Sequence, residues 1–347
     1  MASDNERAIR ATDPGDESTR TKSMLLSVLV PVFNEAAAIG IFVAAVNAAV
    51  ANCPDVAVEF VFVNDGSTDA TLAELLSAMK TDRRITVVDL SRNFGKEAAL
   101  TAALDHSTGD AVVPMDVDLQ DPPSLIPLMI TEWRKGIDVV LAKRTSRRSD
   151  PILKRLTATA FYRVHNALSE PEIMANVGDF RLMDRTVVEA LRRLPESRRF
   201  MKGLFAWVGF RSTVIGYERP SRSVGVSKFS GWRLWNLALE GVTSFTTAPL
   251  RIWTYVGGIA AFTSLSYGSY LFLRTLFRGV EVPGYASVFV AVVFLGGLQL
   301  VGIGVLGEYL GRTYIESKNR PVYVARRVYQ KRAEQAQRDE VTDGVAR

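Results

Sequence analysis

Cysteine and histidine are almost missing from this 347-residue chain, which has one of the first and two of the second. A lone Cys53 excludes an intrachain disulfide and a thiolate-rich metal centre, and its place before Pro54 reads as a loop. His106 and His165 lie far apart in helix-like segments and form no ligand cluster. A large charge of one sign is also absent: 42 Lys and Arg against 37 Asp and Glu leave a net charge of +5. The mild basic excess falls mainly in the second half, and no nucleic-acid partner is expected. Residues 1–23 have no apolar periodicity and are rich in Asp, Glu, Arg, Ser and Thr, which predicts a disordered tail. They carry no apolar core of signal-peptide length, and Pro31 interrupts the first apolar run, so no export signal is expected.

Apolar runs alternating with helical patterns occupy the next stretch. Buried strands are expected over 25–32, 58–63, 85–90, 111–115 and 138–141, with helices over 35–51, 70–79 and 96–106. That βαβα order predicts an α/β domain with a mostly parallel sheet. Further helices are expected over 124–134 and 151–168, and further strands over 180–183 and 213–217.

Beyond Arg251 the character changes. Residues 252–273 and 282–307 carry no Asp, Glu, Lys or Arg, and each run reaches the roughly 20 residues needed to cross a bilayer core. The short link between them predicts a helical hairpin with spans near 252–274 and 285–308. Lys228, Arg233 and Arg251 precede it, Arg312, Lys318, Arg320, Arg326 and Arg327 follow it, and the link holds only Arg274 and Arg278. This imbalance predicts an inner-membrane protein of several spans with both termini and the α/β domain in the cytoplasm. Between domain and hairpin, residues 229–250 place Trp232, Trp235, Leu239, Val242 and Phe245 at helical spacing, a pattern suited to a membrane-surface helix. Residues 311–347 read as a basic cytoplasmic tail.

The chemistry concentrates in Asp116-Val117-Asp118-Leu119-Gln120-Asp121, directly after the apolar run 111–115. In extended backbone, residues two apart face the same side, so Asp116 and Asp118 can address one ligand. Strand carboxyl ends are where open α/β sheets bind ligands. Two neighbouring carboxylates repel unless a cation lies between them, and hard oxygen donors suit Mg²⁺ or Mn²⁺. Alone, the motif is equally an acidic turn, and Asn64-Asp65-Gly66-Ser67 is equally a turn leading to an N-cap.

The ordered set VPVFNE at 30–35, VNDGSTD at 63–69, NFGKEAAL at 93–100, DVDLQDPP at 116–123 and GDFRL at 178–182 resembles glycosyltransferase family 2. With SKFSGWRLWN at 227–236 and VLGEYLGRTY at 305–314, the chain looks like the bacterial polyprenyl-phosphate branch. Within it, the resemblance is to bactoprenol glucosyltransferases, relatives of dolichol-phosphate mannose synthase. It covers about 24–324; the one variation in the core motifs is Val117 where Ala is commoner. The resemblance implies a GT-A catalytic domain over 24–228 and an inverting transfer of one hexose from a nucleotide sugar to a polyprenyl phosphate. UDP-glucose is the favoured donor, while N-acetylglucosamine, mannose and an aminopentose stay open, as does a homo-oligomer.

By the same resemblance Pro31, Phe33, Glu35 and Asp65 line the base and ribose pocket, with Lys96 and Asp116 completing the nucleotide-sugar site. Asp116, Asp118 and Gln120 would hold Mg²⁺ or Mn²⁺. Asp179, Asp118 and Arg181 are the catalytic candidates. Arg144, Arg147, Arg148, Ser227 and Lys228 are candidates for the acceptor phosphate. A processive polysaccharide synthase is disfavoured because the chain lacks a Gln-x-x-Arg-Trp segment. A non-catalytic scaffold is disfavoured by the intact Asp116, Asp118 and Asp179.

Overall fold

The computed structural model describes residues 23–145, 174, 177–197, 199–217, 248–278 and 284–330. They fall in two compact units, one holding a sheet and its helices, the other holding two long helices. The expected helix at 151–168, most of the expected surface helix at 229–250, and Arg147, Arg148, Ser227 and Lys228 lie outside the described residues.

The first unit runs β1 (Met24–Val32), α1 (Ile39–Val50), β2 (Val56–Asn64), α2 (Thr71–Thr81), β3 (Ile85–Leu90), α3 (Lys96–Asp105), β4 (Ala111–Pro114) and α4 (Ile126–Arg134). It continues with β5 (Val139–Arg144), β6 (Val177–Asp184), α5 (Arg185–Arg192), α6 (Met201–Trp207) and β7 (Ser212–Tyr217). With β8 (Ala325–Tyr329), the eight-stranded sheet has the order β7-β5-β6-β4-β1-β2-β3-β8. β1 pairs in parallel with β2 and β4, β2 with β3, and β5 with β7. β6 is antiparallel to both β4 and β5. This is the mostly parallel α/β sheet expected of a GT-A domain.

The apolar runs become central strands because helices cover both faces and leave no polar side. Leu26, Val28, Leu29 and Val30 of β1, and Phe60, Val61, Phe62 and Val63 of β2, are fully buried. α1 turns Ile39, Phe42, Val46 and Val50 to the core, where Phe42 meets Phe62 edge-on at 6.1 Å. Each such side chain contributes about 1.5–3 kcal/mol by leaving water. The helices expected to begin at 35 and 124 instead open with 3-10 turns, Ala36–Ala38 and Pro123–Leu125, before α1 and α4. α5 was not foreseen. Asp184 caps it, accepting from the Thr186 N–H at 2.9 Å while its other oxygen accepts from the Trp133 indole at 2.8 Å.

In the second unit, residues 252–274 fall within α7 (Ala248–Arg278) and residues 285–308 within α8 (Tyr285–Ser317). They meet where Gly302 leaves room for the Trp253 ring, within 3.4 Å of where a Cβ would stand. Phe294–Ser317 is long and apolar enough to cross a membrane. Ile259, Phe262 and Leu265 of α7, and Phe294, Leu300 and Ile303 of α8, are all exposed.

The basic tail expected from 311 onward needs correction. α8 continues to Ser317, and Ala325–Tyr329 forms β8, antiparallel to β3. Its charged residues concealed an edge strand, because an edge strand exposes one side and accommodates Arg326 and Arg327. Arg326 donates to the Ser91 carbonyl at 3.0 Å, and the Tyr323 hydroxyl donates to Asp105 at 2.9 Å. Ending the chain at Arg320 should therefore bare the β3 edge. The expected result is an apparent Tm lower by about 5 °C or more, with more light scattering on heating. An unchanged transition would show that β8 carries no stability.

Candidate active site

A cavity of about 320 Å³ opens where the carboxyl ends of β1, β2 and β4 converge. The strand order reverses between β1 and β4, the place where open α/β sheets leave a crevice. Pro31, Phe33, Glu35, Asp65, Lys96, Asp116 and Asp118 all line this cavity. The tertiary fold thus gathers every residue assigned to the nucleotide sugar, from four separate sequence motifs.

The loops around it are locked by their own polar side chains. Asn34 stands at φ 56 and Leu119 at φ 55, a left-handed backbone that costs a non-glycine residue about 1–2 kcal/mol. Asn34 is held there: its carboxamide oxygen accepts from the Thr68 N–H at 2.8 Å, and its own N–H donates to Ser67 Oγ at 3.0 Å. Asp118 Oδ1 accepts the Gln120 N–H at 3.1 Å, bending the chain after β4. Gly66 is required on two counts. Its φ is +66, and a Cβ there would lie 2.5 Å from the Arg92 and Asn93 backbone.

Asp65 does more than line the cavity. Its two oxygens accept the Phe94 and Gly95 N–H groups at 2.7 and 3.0 Å, so it anchors the loop that enters α3. Burial raises its pKa against the lowering effect of those bonds. Burial also raises that of Glu35, assisted by the charges of Asp118 and Asp69.

Lys96, the first residue of α3, is the central cation. Its Nζ lies 2.6 Å from Asp116 Oδ1 and 2.9 Å from Asp179 Oδ2. Burial works against its charge, but Asp179 and Asp116 outweigh it and raise the ammonium pKa. Burial likewise opposes the charge of Asp179, yet Lys96, followed by Lys202 and Arg181, holds that carboxyl below its usual range. Asp179 is therefore ionised at neutral pH. Its Oδ1 is buried with no hydrogen-bond partner among the described residues.

Arg181 supports this segment from behind and does not line the cavity. Its guanidinium donates to the Gly178 carbonyl at 2.7 Å and stacks on the Phe205 ring at 4.0 Å. Burial lowers its pKa to about 10 against the opposing Asp179 charge, which leaves it cationic at neutral pH. Glu97 escaped sequence reasoning because it reads as an ordinary first-turn acid. It accepts the Met201 N–H at 3.3 Å, and burial followed by the Asp179 charge raises its pKa to about 7.

Of the acceptor-phosphate candidates, Arg144 is described. Its Nε donates to the Tyr217 hydroxyl at 3.2 Å, and its guanidinium lies 3.7 Å from Asp121. Tyr217 in turn donates a short hydrogen bond to Asp121. Burial and that bond push the phenol up to about 12. Asp121 and Tyr217 were not singled out as site residues, yet they position Arg144, which stands beside Gly178.

The donor set fits a divalent cation shared with substrate. Among the described residues no three acidic, His or Cys side chains gather as a metal cage. Mg²⁺ and its relatives, however, are commonly held by one or two carboxylates together with substrate phosphates. Asp116 and Asp118 supply such hard oxygens at the cavity wall, and the Lys96 ammonium already stands as a cation against Asp116. Gln120 is not among the cavity-lining residues.

Comparison with known proteins identifies the family. Residues 27–192 match the glycosyl transferase family 2 model and residues 248–313 match the GtrB C-terminal hairpin. A prophage bactoprenol glucosyl transferase homolog of Escherichia coli K12 is 52% identical over 88% of this chain and 99% of its own length. The bactoprenol glucosyl transferase of Shigella phage SfV is 53% identical over 89% of this chain and 100% of its own. Among solved structures, glucosyl-3-phosphoglycerate synthase from Mycobacterium tuberculosis shares 20% identity at a TM-score of 0.45, over 66% of this chain and 80% of that one. With its ordered motifs in one cavity and near-full-length relatives, the chain is a glycosyltransferase and belongs to glycosyltransferase family 2.

Proposed function

We propose that this enzyme transfers glucose from UDP-glucose to a polyprenyl phosphate, with inversion, at the cytoplasmic face of the membrane. The observation that carries the reading is the likeness, over nearly the whole chain, to relatives named bactoprenol glucosyl transferase, combined with a cavity that holds the nucleotide-sugar residues together. The catalytic domain spans 24–228 and is completed by β8. α7 and α8 cross the membrane as a hairpin. The apolar residues exposed along both helices support this, because aliphatic and aromatic patches of that extent need lipid or a partner.

Phe33 and Pro31 offer an apolar and aromatic face to the base, and Glu35 accepts hydrogen bonds from hydroxyls. Asp116 and Asp118 would hold Mg²⁺ or Mn²⁺, which would neutralise charge on the leaving diphosphate. An acceptor phosphate oxygen attacks the anomeric carbon from the face opposite the diphosphate. The bond from that carbon to the diphosphate oxygen breaks, and UDP departs with the electron pair. Arg144, Arg147, Ser227 and Lys228 steady the acceptor phosphate.

A phosphomonoester has a second pKa of about 6 and is already largely ionised at neutral pH, so the nucleophile needs no strong base. The depressed pKa of Asp179 makes it a weak one. Asp179 positions Lys96 and the acceptor.

Full-length enzyme in lipid nanodiscs with undecaprenyl phosphate should use UDP-glucose well above UDP-N-acetylglucosamine or GDP-mannose; a preference for either of the others would overturn the assignment of glucose. Asp116→Asn or Asp118→Asn should reduce transfer by about a hundredfold or more. Chelator should do the same to the wild type, with Mn²⁺ or Mg²⁺ restoring only the unmutated enzyme, and full activity in chelator would remove the metal. Asp179→Asn should lower kcat by roughly a hundredfold with no recovery at alkaline pH. Wild-type activity should fall on acidification, as the acceptor and then Asp179 take up protons. A profile of the Asn variant that climbs back toward wild type above neutrality would make Asp179 a general base.

A further inference from the structure

The cavity wall is crowded with acid. Glu35, Asp65, Asp116 and Asp118 line it, and Asp179 and Glu97 lie close behind. Lys96 is the one cationic side chain among the described lining residues. It is also fixed in place. As the first residue of α3 it follows Gly95, whose φ of +97 and N–H bond to Asp65 set the direction in which the helix starts. Its ammonium spans Asp116 and Asp179 at 2.6 and 2.9 Å.

A divalent ion held by the Asp116 carboxylate would lie close to this ammonium. Two cations cannot share one carboxylate closely without strong repulsion. Building on the metal reading above, we propose that Lys96 is the resting counter-ion of the cation site. It competes with the divalent ion for Asp116 and leaves it only when the donor diphosphate offers the ammonium a second anionic partner.

The arrangement makes nucleotide and ion bind cooperatively. Without nucleotide, an entering ion must expel an ammonium that has nowhere better to go, so the free enzyme holds the ion weakly. With nucleotide, the displaced ammonium moves onto a phosphate oxygen, and the cost of displacement falls. By linkage the ion strengthens nucleotide binding by the same factor. Lys96 thereby discourages the empty enzyme from gathering ions without donor, and it keeps Asp116 and Asp179 from repelling one another.

The test is Mn²⁺ binding to the full-length protein in detergent, followed by electron paramagnetic resonance of the free ion, with and without UDP. Wild type should bind Mn²⁺ weakly alone and much more tightly with UDP. Lys96→Met should bind Mn²⁺ at least about tenfold more tightly without UDP and gain less when UDP is added. Lys96→Arg keeps a cation and should hold Mn²⁺ without UDP as weakly as wild type does. Adding Asp116→Asn to Lys96→Met should abolish the gain. Circular dichroism and the thermal transition check that each variant is folded, and Lys96→Gln serves if the Met variant is not. If folded Lys96→Met and Lys96→Gln bind Mn²⁺ no more tightly than wild type, the competition is overturned. Mn²⁺ binding that is absent from every protein, with UDP and without, would instead overturn the metal reading on which the competition rests.

Discussion

Mutual repulsion among carboxylates at the carboxyl edge of the sheet is the constraint around which this site is organised. The loops just beyond β1, β2 and β4 each carry an acid, delivering Glu35, Asp65 and Asp116 to one cavity, and β6 brings Asp179 against it through Lys96. Left alone, such a group would shed charge by taking up protons. The protein answers each carboxylate differently. Asp65 is bound by two backbone N–H groups, and Asp116 and Asp179 share an ammonium. Glu97, buried near Asp179, instead has its pKa raised to about 7. A cluster balanced this way is ready to receive a diphosphate with its cation, since cations hold it together and one more can be exchanged.

That balance depends on backbone features away from the charges. Gly66 lets the loop after β2 press on the loop before α3, and Asp65 then fixes where α3 begins. Lys96 can bridge Asp116 and Asp179 only because α3 starts there. Behind the cavity, Arg181 ties Gly178 to Phe205 and keeps the Asp179 segment straight. On the other side, Asp121 and Tyr217 hold Arg144 beside Gly178. Buried polar contacts of this kind act through others, and they turn a flexible guanidinium or ammonium into one with a set direction.

The two long helices follow a different logic. α7 and α8 pack where Gly302 admits Trp253, a close approach of the kind small residues allow between helices. After α8 the chain supplies β8 to the sheet it left long before, so the residues on both sides of the hairpin belong to the sheet-bearing unit. A strand contributed from so late in the sequence covers the open edge of β3. It also prevents the hairpin from being read as a simple terminal appendage.

Local periodicity by itself determined the parallel core, since Val, Ile and Phe runs separated by helical patterns have few other ways to bury both faces. Val58 to Val63 and Ile85 to Leu90 were legible because a central strand is mostly apolar, with one carboxylate in each, Glu59 and Asp89. The cavity-lining residues were legible as motifs, because strand ends in such a sheet converge in one place. Charge-free runs likewise marked the long helices. Only the tertiary structure decided what depends on contacts between distant segments. No spacing announces that Lys96 will meet both Asp116 and Asp179, that Glu97 will be buried beside a like charge, or that Tyr217 will bond to Asp121. β8 was hidden for the same reason: an edge strand earns its pairing from its neighbour and needs no apolar pattern of its own. Sequence records which groups are available, while their electrostatic partners are set by three-dimensional proximity.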